Sequence, residues 1–157
     1  MTKNFQMADV TAITDTREQL PFVLEPMQVE TGTLQFGDYS VKGLETQLSI
    51  ERKSLSDFVT CCGRERERFQ RELNALRGYP TSAIIIESDW QTIEAGDWRS
   101  KITPASVMGS ITSWISQGHC IILGGNRVMS QKICRSILFH TPRRHWRQFV
   151  AFTEAQY

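Results

Sequence analysis

Three acidic motifs in the first third of the chain carry the residues best suited to chemistry. In chain order they are Asp15-Thr16-Arg17-Glu18, Gly37-Asp38, and Glu51-Arg52-Lys53 followed four residues later by Asp57. Carboxylates on neighbouring strands hold a hard divalent cation through oxygen ligands, and a nearby lysine sets a positive charge beside an attacked phosphate. The set therefore predicts a metal-dependent phosphodiesterase, and in particular a nuclease.

The third motif predicts which side chains face the same way. Side chains alternate along a strand, so Glu51 and Lys53 point to one side and Arg52 to the other. Asp38, at the start of a neighbouring strand, can reach the side of Glu51. We expect Asp38 and Glu51 to bind a metal directly, with Mg²⁺ the best fit because its usual ligands are carboxylates, carbonyls and waters. Three roles are open for Lys53: orienting a water, helping to deprotonate it, or neutralising charge on the phosphate.

The first motif supplies further groups for the same site. Asp15 and Glu18 could complete the ligand shell or act through water, and the planar fork of Arg17 suits phosphate oxygens. Taken singly, the acids have simpler explanations: an Asp after Gly is usually a turn residue, and Asp57 suits a helix capping box. The joint occurrence of the motifs, each in a strand-like context, favours a site.

The hydrophobic pattern predicts the elements that position these residues. The predicted strands are Val10–Asp15, Val29–Phe36, Tyr39–Val41, Gln47–Lys53, Ala83–Ile86 and Cys120–Leu123. Helices are predicted after Ser54, over Arg64–Arg77, from Thr103-Pro104 and after Asn126. Strands followed by helices that alternate with buried strands predict an α/β fold, with a central mixed β-sheet flanked by helices.

Length and composition favour one soluble domain. The 157 residues can bury a core, no run of about 18 apolar residues is present, and residues 1–9 lack the apolar region of a signal peptide. We therefore expect a cytoplasmic protein with no membrane segment. The four cysteines, Cys61, Cys62, Cys120 and Cys134, form no CxxC pair, and we expect buried, reduced thiols.

Charge is distributed unevenly along the chain. Residues 1–97 hold 10 Lys+Arg and 16 Asp+Glu, and residues 98–157 hold 8 Lys+Arg and 1 Glu, which gives −6 and +7. An acidic part beside a basic part fits metal chemistry on a polyanion, although a chance shift in composition would look the same. The candidate contacts to DNA phosphates are Arg17, Arg64, Arg68, Arg71, Arg143 and Arg144. For Arg143 and Arg144, the competing interpretation is that they belong to a solvated helix face followed by a flexible tail.

The combined motifs resemble the nuclease domain of the XPF family of structure-specific endonucleases, over residues 10–125. This resemblance implies the restriction-endonuclease-like fold, Mg²⁺ or Mn²⁺ as cofactor, and cleavage of branched or flapped DNA. By the same resemblance, Asp15, Asp38 and Glu51 match the metal-site acids. Glu18 matches the second upstream acid, Arg52 and Lys53 match the basic pair, and Asp57 matches the acid that closes the signature.

The chain also departs from the family pattern. Gly63-Arg64 matches a Gly-Arg pair of the family, but a longer charged stretch follows it. Eukaryotic and archaeal members carry a tandem helix-hairpin-helix domain after the nuclease domain, and we expect none within these 157 residues. In this the sequence resembles the short single-domain type of phages and bacteria. We expect a nuclease domain over residues 10–141 and a basic, aromatic tail over 142–157. This tail, a homodimer or a partner protein would then hold the DNA.

The first expectation for function is therefore a metal-dependent endonuclease acting at branched, flap or single-strand/double-strand junction DNA. A junction resolvase or another restriction-like nuclease is the nearest alternative. A non-catalytic DNA-binding or scaffold subunit is a third, although the intact Asp38, Glu51 and Lys53 argue against it. Repair, recombination, replication and phage-genome processing are all open as pathways.

Overall fold

The computed structural model describes residues 4–156 and contains a six-stranded mixed sheet. The strands are Thr11–Asp15 (β1), Gln28–Gly32 (β2), Tyr39–Val41 (β3), Leu48–Lys53 (β4), Thr81–Ile86 (β5) and Ile121–Leu123 (β6). Their order is β2-β1-β3-β4-β5-β6, in which β3 runs antiparallel to both of its neighbours and the other pairs are parallel.

Helices cover both faces of this sheet, which confirms the predicted α/β fold. They are Leu55–Cys62 (α1), Arg66–Leu76 (α2), Trp90–Ala95 (α3), Pro104–Ser116 (α4) and Arg127–Glu154 (α5), with a 3-10 turn at Met7–Asp9. The face covered by α1, α2 and α4 is here named the α2 face, and the opposite one the α5 face. None of the described helices is long and apolar enough to cross a membrane.

Strand β5 explains how one sheet supports two cores. Ile84 and Ile86 pack into the α2-face core with Trp114, whereas Ile85 packs into the α5-face core with Leu138. A strand buried on both faces must be apolar at every position, and the run of isoleucines meets this requirement. The two cores fix the strand ends that carry the acidic motifs.

Three helices begin where their capping residues predict. Ser54 accepts the Asp57 N–H at the start of α1, and Thr103 caps α4 with Pro104 at the first helical position. Asn126 caps α5 by accepting the Met129 N–H. In each case the side-chain oxygen satisfies a backbone donor that has no partner within the helix.

Several predicted boundaries are shifted, and two of the shifts change the segments next to the acidic motifs. Strand β2 ends at Gly32 rather than Phe36, because it pairs only with β1, whose last residue, Asp15, lies opposite Gly32. Residues 33–38 therefore form a loop. Helix α2 begins at Arg66, after a turn in which the Glu65 N–H donates to Thr60 O, so Arg64 is not helical.

The cysteines also differ in part from expectation. Cys61, Cys62 and Cys134 are buried free thiols, as predicted. Cys120 is exposed, because it precedes the first residue of β6 instead of lying within the strand.

Helix α5 continues through Pro142 to Glu154 without interruption. No secondary-structure element ends at residue 141, where the tail was expected to begin, and the division into domain and tail stays a prediction.

Candidate active site

Three of the predicted acids stand side by side on adjacent strands: Asp15 on β1, Asp38 just before β3, and Glu51 on β4. Tyr39 lies opposite Thr14 of β1 and Ile50 of β4. Because both pairings are antiparallel, Asp38, the residue before Tyr39, lies opposite Asp15 and Glu51, the residues that follow Thr14 and Ile50. The Asp15 N–H donates to Asp38 O, and the Asp38 N–H donates to Ile50 O, both at 2.8 Å. Residues directly opposite in such pairs lie about 5 Å apart.

The signature residues of β4 face as the alternation predicts. Lys53 Nζ lies 2.8 Å from Glu51 Oε1 and 5.5 Å from the centre of the Phe69 ring, on the α2 face. The Arg52 guanidinium lies on the α5 face, 5.9 Å from the centre of the Phe22 ring. Glu51 and Lys53 therefore share the α2 face, and Arg52 lies on the opposite face of the same strand.

Gly37 allows Asp38 to approach β4. Its φ is +79°, a conformation that L side chains rarely adopt. A Cβ at this position would overlap the Ser49 hydroxyl and lie 3.1 Å from the Ile50 carbonyl oxygen. The close passage of the chain past β4 therefore requires glycine, which gives the Gly-Asp motif a structural reason.

The acids open into a pocket of about 210 Å³ on the α2 face. Its walls come from β1, β4, α2 and the loop that precedes β3. The lining residues are Asp15, Arg17, Gln35, Phe36, Gly37, Asp38, Glu51, Lys53, Arg68, Glu72 and Leu76. A cluster of carboxylates surrounded by three cationic side chains suits both a divalent ion and a phosphate.

Asp38 and Glu51 form a half-buried pair of like charge. Burial and the neighbouring Glu51 raise the pKa of Asp38 to about 7, although the carboxylate accepts the Arg52 N–H at 2.7 Å. Burial likewise raises the pKa of Glu51, against the opposing effect of Lys53. A divalent cation between the two carboxylates would offset both the burial and the repulsion, so this donor set fits such an ion.

Asp15 is buried and already fully engaged. One carboxylate oxygen accepts the Arg17 N–H and Nε–H at 2.9 and 2.7 Å, and the other accepts Arg17 Nη2 and the Leu34 N–H at 3.1 and 2.7 Å. Burial raises the pKa of Asp15, but these hydrogen bonds outweigh it and hold the pKa below the usual value. Asp15 thus aims Arg17 into the pocket, and its role as a direct metal ligand stays a prediction.

Glu18 and Arg52 form an ion pair on the α5 face. Arg52 Nε and Nη2 donate to the two Glu18 carboxylate oxygens at 2.8 and 2.9 Å, and Arg52 Nη1 lies 3.0 Å from Glu87. Burial raises the pKa of Glu18, but Arg52 more than offsets it, so the pKa is lowered. Neither residue lines the pocket, and their geometry suits positioning of β4.

Three residues of this region were not predicted from the sequence. Glu72 on α2 lines the pocket 3.6 Å from Lys53 Nζ, and its position four residues after Arg68 was the available signal. Glu87 directly follows the buried strand β5, and Asp15 is likewise at a strand end, as the last residue of β1. Phe36 lines the pocket from a segment that was assigned to a strand.

The predicted phosphate contacts lie in different places. Arg17 and Arg68 line the pocket, Arg71 is exposed on α2, and Arg64 is exposed in the turn before that helix. Asp57 and Lys53 line a neighbouring depression beside α1.

Arg143 and Arg144 are not near the pocket. Arg144 Nη2 lies 3.3 Å from Thr81 Oγ1, at the N-terminal end of β5, whereas Arg127 at the start of α5 lies 3.1 Å from Glu87. At 1.5 Å per helical residue, the two ends of this segment are about 25 Å apart. The basic end of α5 therefore lies at the N-terminal end of β5, whereas the acids lie near the C-terminal ends of β1 and β4.

A model of the ERCC4 domain matches residues 13–123 of this chain. The chain belongs to the ERCC4 domain family. The match contains all three acidic motifs and ends at the last residue of β6. The matched region therefore includes the candidate site and the whole sheet except for the first two residues of β1. The resemblance to the XPF family is confirmed.

Solved structures agree with this assignment. XPF from Aeropyrum pernix superposes with a TM-score of 0.66 at 21% identity, over 82% of this chain and 59% of that one. XPF from Aeropyrum pernix in complex with DNA gives 0.66 at 20% identity, over 86% and 66%. This ERCC4 domain chain thus spans less than two thirds of either structure and shares their nuclease-domain fold. No curated protein matches it significantly.

Proposed function

We propose that this ERCC4 domain protein is a metal-dependent endonuclease that hydrolyses phosphodiester bonds in branched, flap or single-strand/double-strand junction DNA. The observation that carries the proposal is the opposition of Asp38 and Glu51 on adjacent strands, in a pocket that also contains Arg17, Lys53 and Arg68. The two half-buried carboxylates repel each other and share one close cation, Lys53, so a divalent ion would stabilise them, and the cationic residues of the same pocket suit a polyanionic substrate.

Asp38 and Glu51 are the residues that would hold the ion, with Mg²⁺ or Mn²⁺ as the candidates. When bound there, the ion would supply charge neutralisation at the phosphate and a lowered pKa for a water. Burial and the Asp38–Glu51 repulsion support this choice of residues, because an ion with oxygen ligands relieves both.

The cationic residues have separable roles in this proposal. Burial lowers the pKa of Lys53, but Glu51 and Glu72 beside it more than compensate, so the ammonium stays protonated. Lys53 would therefore neutralise developing charge and hold Glu51, which favours one of its three predicted roles over proton abstraction. Arg17 is largely exposed, and since its Nε and Nη2 donate to Asp15 and Leu34 O, Nη1 is the nitrogen that can donate to a phosphate oxygen.

The choice of branched DNA rests on relatives. The XPF resemblance implies such substrates, and one solved structure with the same fold is XPF from Aeropyrum pernix in complex with DNA. Arg68 lines the pocket, and the exposed Arg64 and Arg71 lie beside or on the same helix, α2, where the three could follow a phosphate backbone.

The test is cleavage of labelled duplex, 3′ flap, splayed arm, fork and four-way junction DNA with Mg²⁺ or Mn²⁺. Glu51→Gln is the site variant and Glu30→Gln, which loses only an exposed ion pair with Lys42, is the matched control. We expect cleavage of a branched substrate by the wild type and the control, and a loss of about 100-fold or more in Glu51→Gln. Equal cleavage by both variants would refute the site.

Other outcomes would assign the alternatives. Symmetric cleavage of the four-way junction alone would indicate a resolvase. Tight binding to one DNA without cleavage under either metal would indicate a DNA-binding subunit on a nuclease fold.

A further inference from the structure

Phe36 is an aromatic side chain left partly in solvent at the rim of the candidate active site. It is 37% exposed and lines the same pocket as Asp38 and Glu51. Leu34, two residues earlier, is 5% exposed and is the buried apolar side chain of this loop. Phe36 is therefore not needed to fill the interior, and its position at the pocket calls for another explanation.

The loop that carries Phe36 is fixed on both sides. Before it, the Leu34 N–H donates to Asp15 at 2.7 Å and Leu34 O accepts from Arg17 at 2.8 Å. At Phe36 itself, the carbonyl oxygen accepts the Ser49 hydroxyl at 2.9 Å. Gly37 then turns the chain into its close passage past β4. The backbone that carries Phe36 is therefore held in place, so little backbone conformational entropy is lost when a ligand packs on the ring.

The surroundings of the ring indicate which ligand fits. Arg17, Lys53 and Arg68 line the pocket and would hold phosphate groups. A nucleotide whose phosphate lies at the carboxylates and Arg17 would have its base within reach of the pocket rim. Gln35, beside Phe36 on the same wall, offers an amide donor and acceptor for a base edge.

We propose that Phe36 is a stacking platform for an unpaired base next to the phosphate that is cut. This proposal rests on the nuclease function above and deepens it, because it names a source of preference for junctions. A base inside a duplex is covered on both faces by its neighbours, whereas a base at a branch point is free to stack on an aromatic ring. A junction would thus gain a contact that continuous duplex cannot make.

A binding cycle tests this without relying on cleavage. The full chain is titrated with Ca²⁺ in place of Mg²⁺, so that a divalent ion with oxygen ligands is present. The DNA is a fluorescently labelled splayed arm, in which one abasic nucleotide is moved a position at a time through the branch point. The proteins are the wild type, Phe36→Ala, Phe36→Tyr, and Trp90→Ala as a control for an exposed aromatic outside the pocket. Thermal melting shows that each variant is folded.

We expect one position at which loss of the base weakens wild-type binding about tenfold. At that position Phe36→Ala should bind intact and abasic DNA within about twofold of each other, whereas Phe36→Tyr and Trp90→Ala should behave as the wild type. Duplex affinity should be the same in all four proteins. Such coupling between a side chain and a base requires that the two interact.

Equal sensitivity of the wild type and Phe36→Ala at every position would overturn the platform, as would the absence of DNA binding. Cleavage of branched DNA together with no coupling would leave the nuclease function standing and remove only the platform. Coupling without cleavage would keep Phe36 as a residue that stacks on a base and remove the nuclease function.

Discussion

The Lys53 ammonium lies 2.8 Å from Glu51 and 3.6 Å from Glu72, so the lysine of the Glu-Arg-Lys motif is fixed between β4 and α2. The two carboxylates outweigh the effect of burial and keep the pKa of Lys53 above its usual value. A lysine held in this way acts as a cation rather than as a base. The proposed roles of the site residues lead to four predictions beyond the cleavage panel.

Replacement of Lys53 should show whether this residue acts as a cation or as a base. Lys53→Met should lower cleavage about 100-fold, and Lys53→Arg should retain part of it because the positive charge is kept. Between about pH 6 and 9 the wild-type rate should show no inflection from this residue, since its pKa lies above that range. Lys42→Met, which removes a lysine from an exposed pair with Glu30, is the matched control. An Lys53→Arg variant as inactive as Lys53→Met would contradict the charge role.

The raised pKa of Asp38 predicts a specific dependence of stability on pH. Its pKa is about 7 in the folded protein and close to the ordinary 3.8 when unfolded, so the folded state binds the extra proton between these values. The contribution of this carboxyl to stability is therefore fully present below about pH 4 and is lost as the pH rises through 7. Its ionisation costs at most about 4 kcal/mol.

Asp38→Asn should accordingly raise the Tm of the metal-free protein at pH 8 and leave it nearly unchanged at pH 4. The amide oxygen can still accept the Arg52 N–H, so the variant keeps that contact. Adding Mg²⁺ at pH 8 should raise the Tm of the wild type and not that of the variant. Differential scanning calorimetry with EDTA or Mg²⁺ measures both effects, and equal Tm values at pH 8 would count against the buried charge.

Gly37→Ala should destabilise the fold more than the same change at another glycine with a similar backbone conformation. Gly43 has a φ of +85° and open space where a Cβ would lie, so Gly43→Ala isolates the backbone strain, about 1 kcal/mol. Gly37→Ala adds the overlap with Ser49 and should cost about 1–3 kcal/mol more in the free energy of unfolding. Urea denaturation compares the two, and a second substitution, Ser49→Ala, should recover part of the difference.

Charge reversal at the far end of α5 tests whether the basic helix holds DNA. Arg143→Glu with Arg144→Glu should weaken binding to every DNA alike and reduce the slope of log affinity against log salt by about 2. The rate at saturating DNA should not change, since these residues lie about 25 Å along α5 from the end near Glu87. Arg99→Glu with Lys101→Glu makes the same charge change on an exposed loop. An unaltered affinity and salt slope would exclude α5 from the DNA contact.

Local sequence patterns predicted much of this molecule. The alternation along β4 predicted that Glu51 and Lys53 face one way and Arg52 the other, because the period of side-chain direction in a strand is fixed by backbone geometry. Ser54, Thr103 and Asn126 marked helix starts through the hydrogen bonds their side chains make within three residues. The buried run at Ala83–Ile86 predicted a strand covered on both faces.

Tertiary structure decided what depends on distant partners. The alignment of Asp15, Asp38 and Glu51 comes from the register of three strands, which no local pattern contains. Strand β2 stops at Gly32 because β1 offers no further backbone groups to pair with. That early end turns the predicted strand around Phe36 into the loop that forms the pocket wall.

The surroundings of the charged residues were also set at long range. The role of Asp15 as a metal ligand stays a prediction, and the fold adds Arg17 and the Leu34 N–H as partners of its oxygens, while Glu18 pairs with Arg52 on the other face. The sequence by itself determined which residues could do chemistry and which way each points along its own strand. Only the packing of the sheet against its helices decided which of them share a pocket, because burial, charge pairing and strand register are properties of residues far apart in the chain.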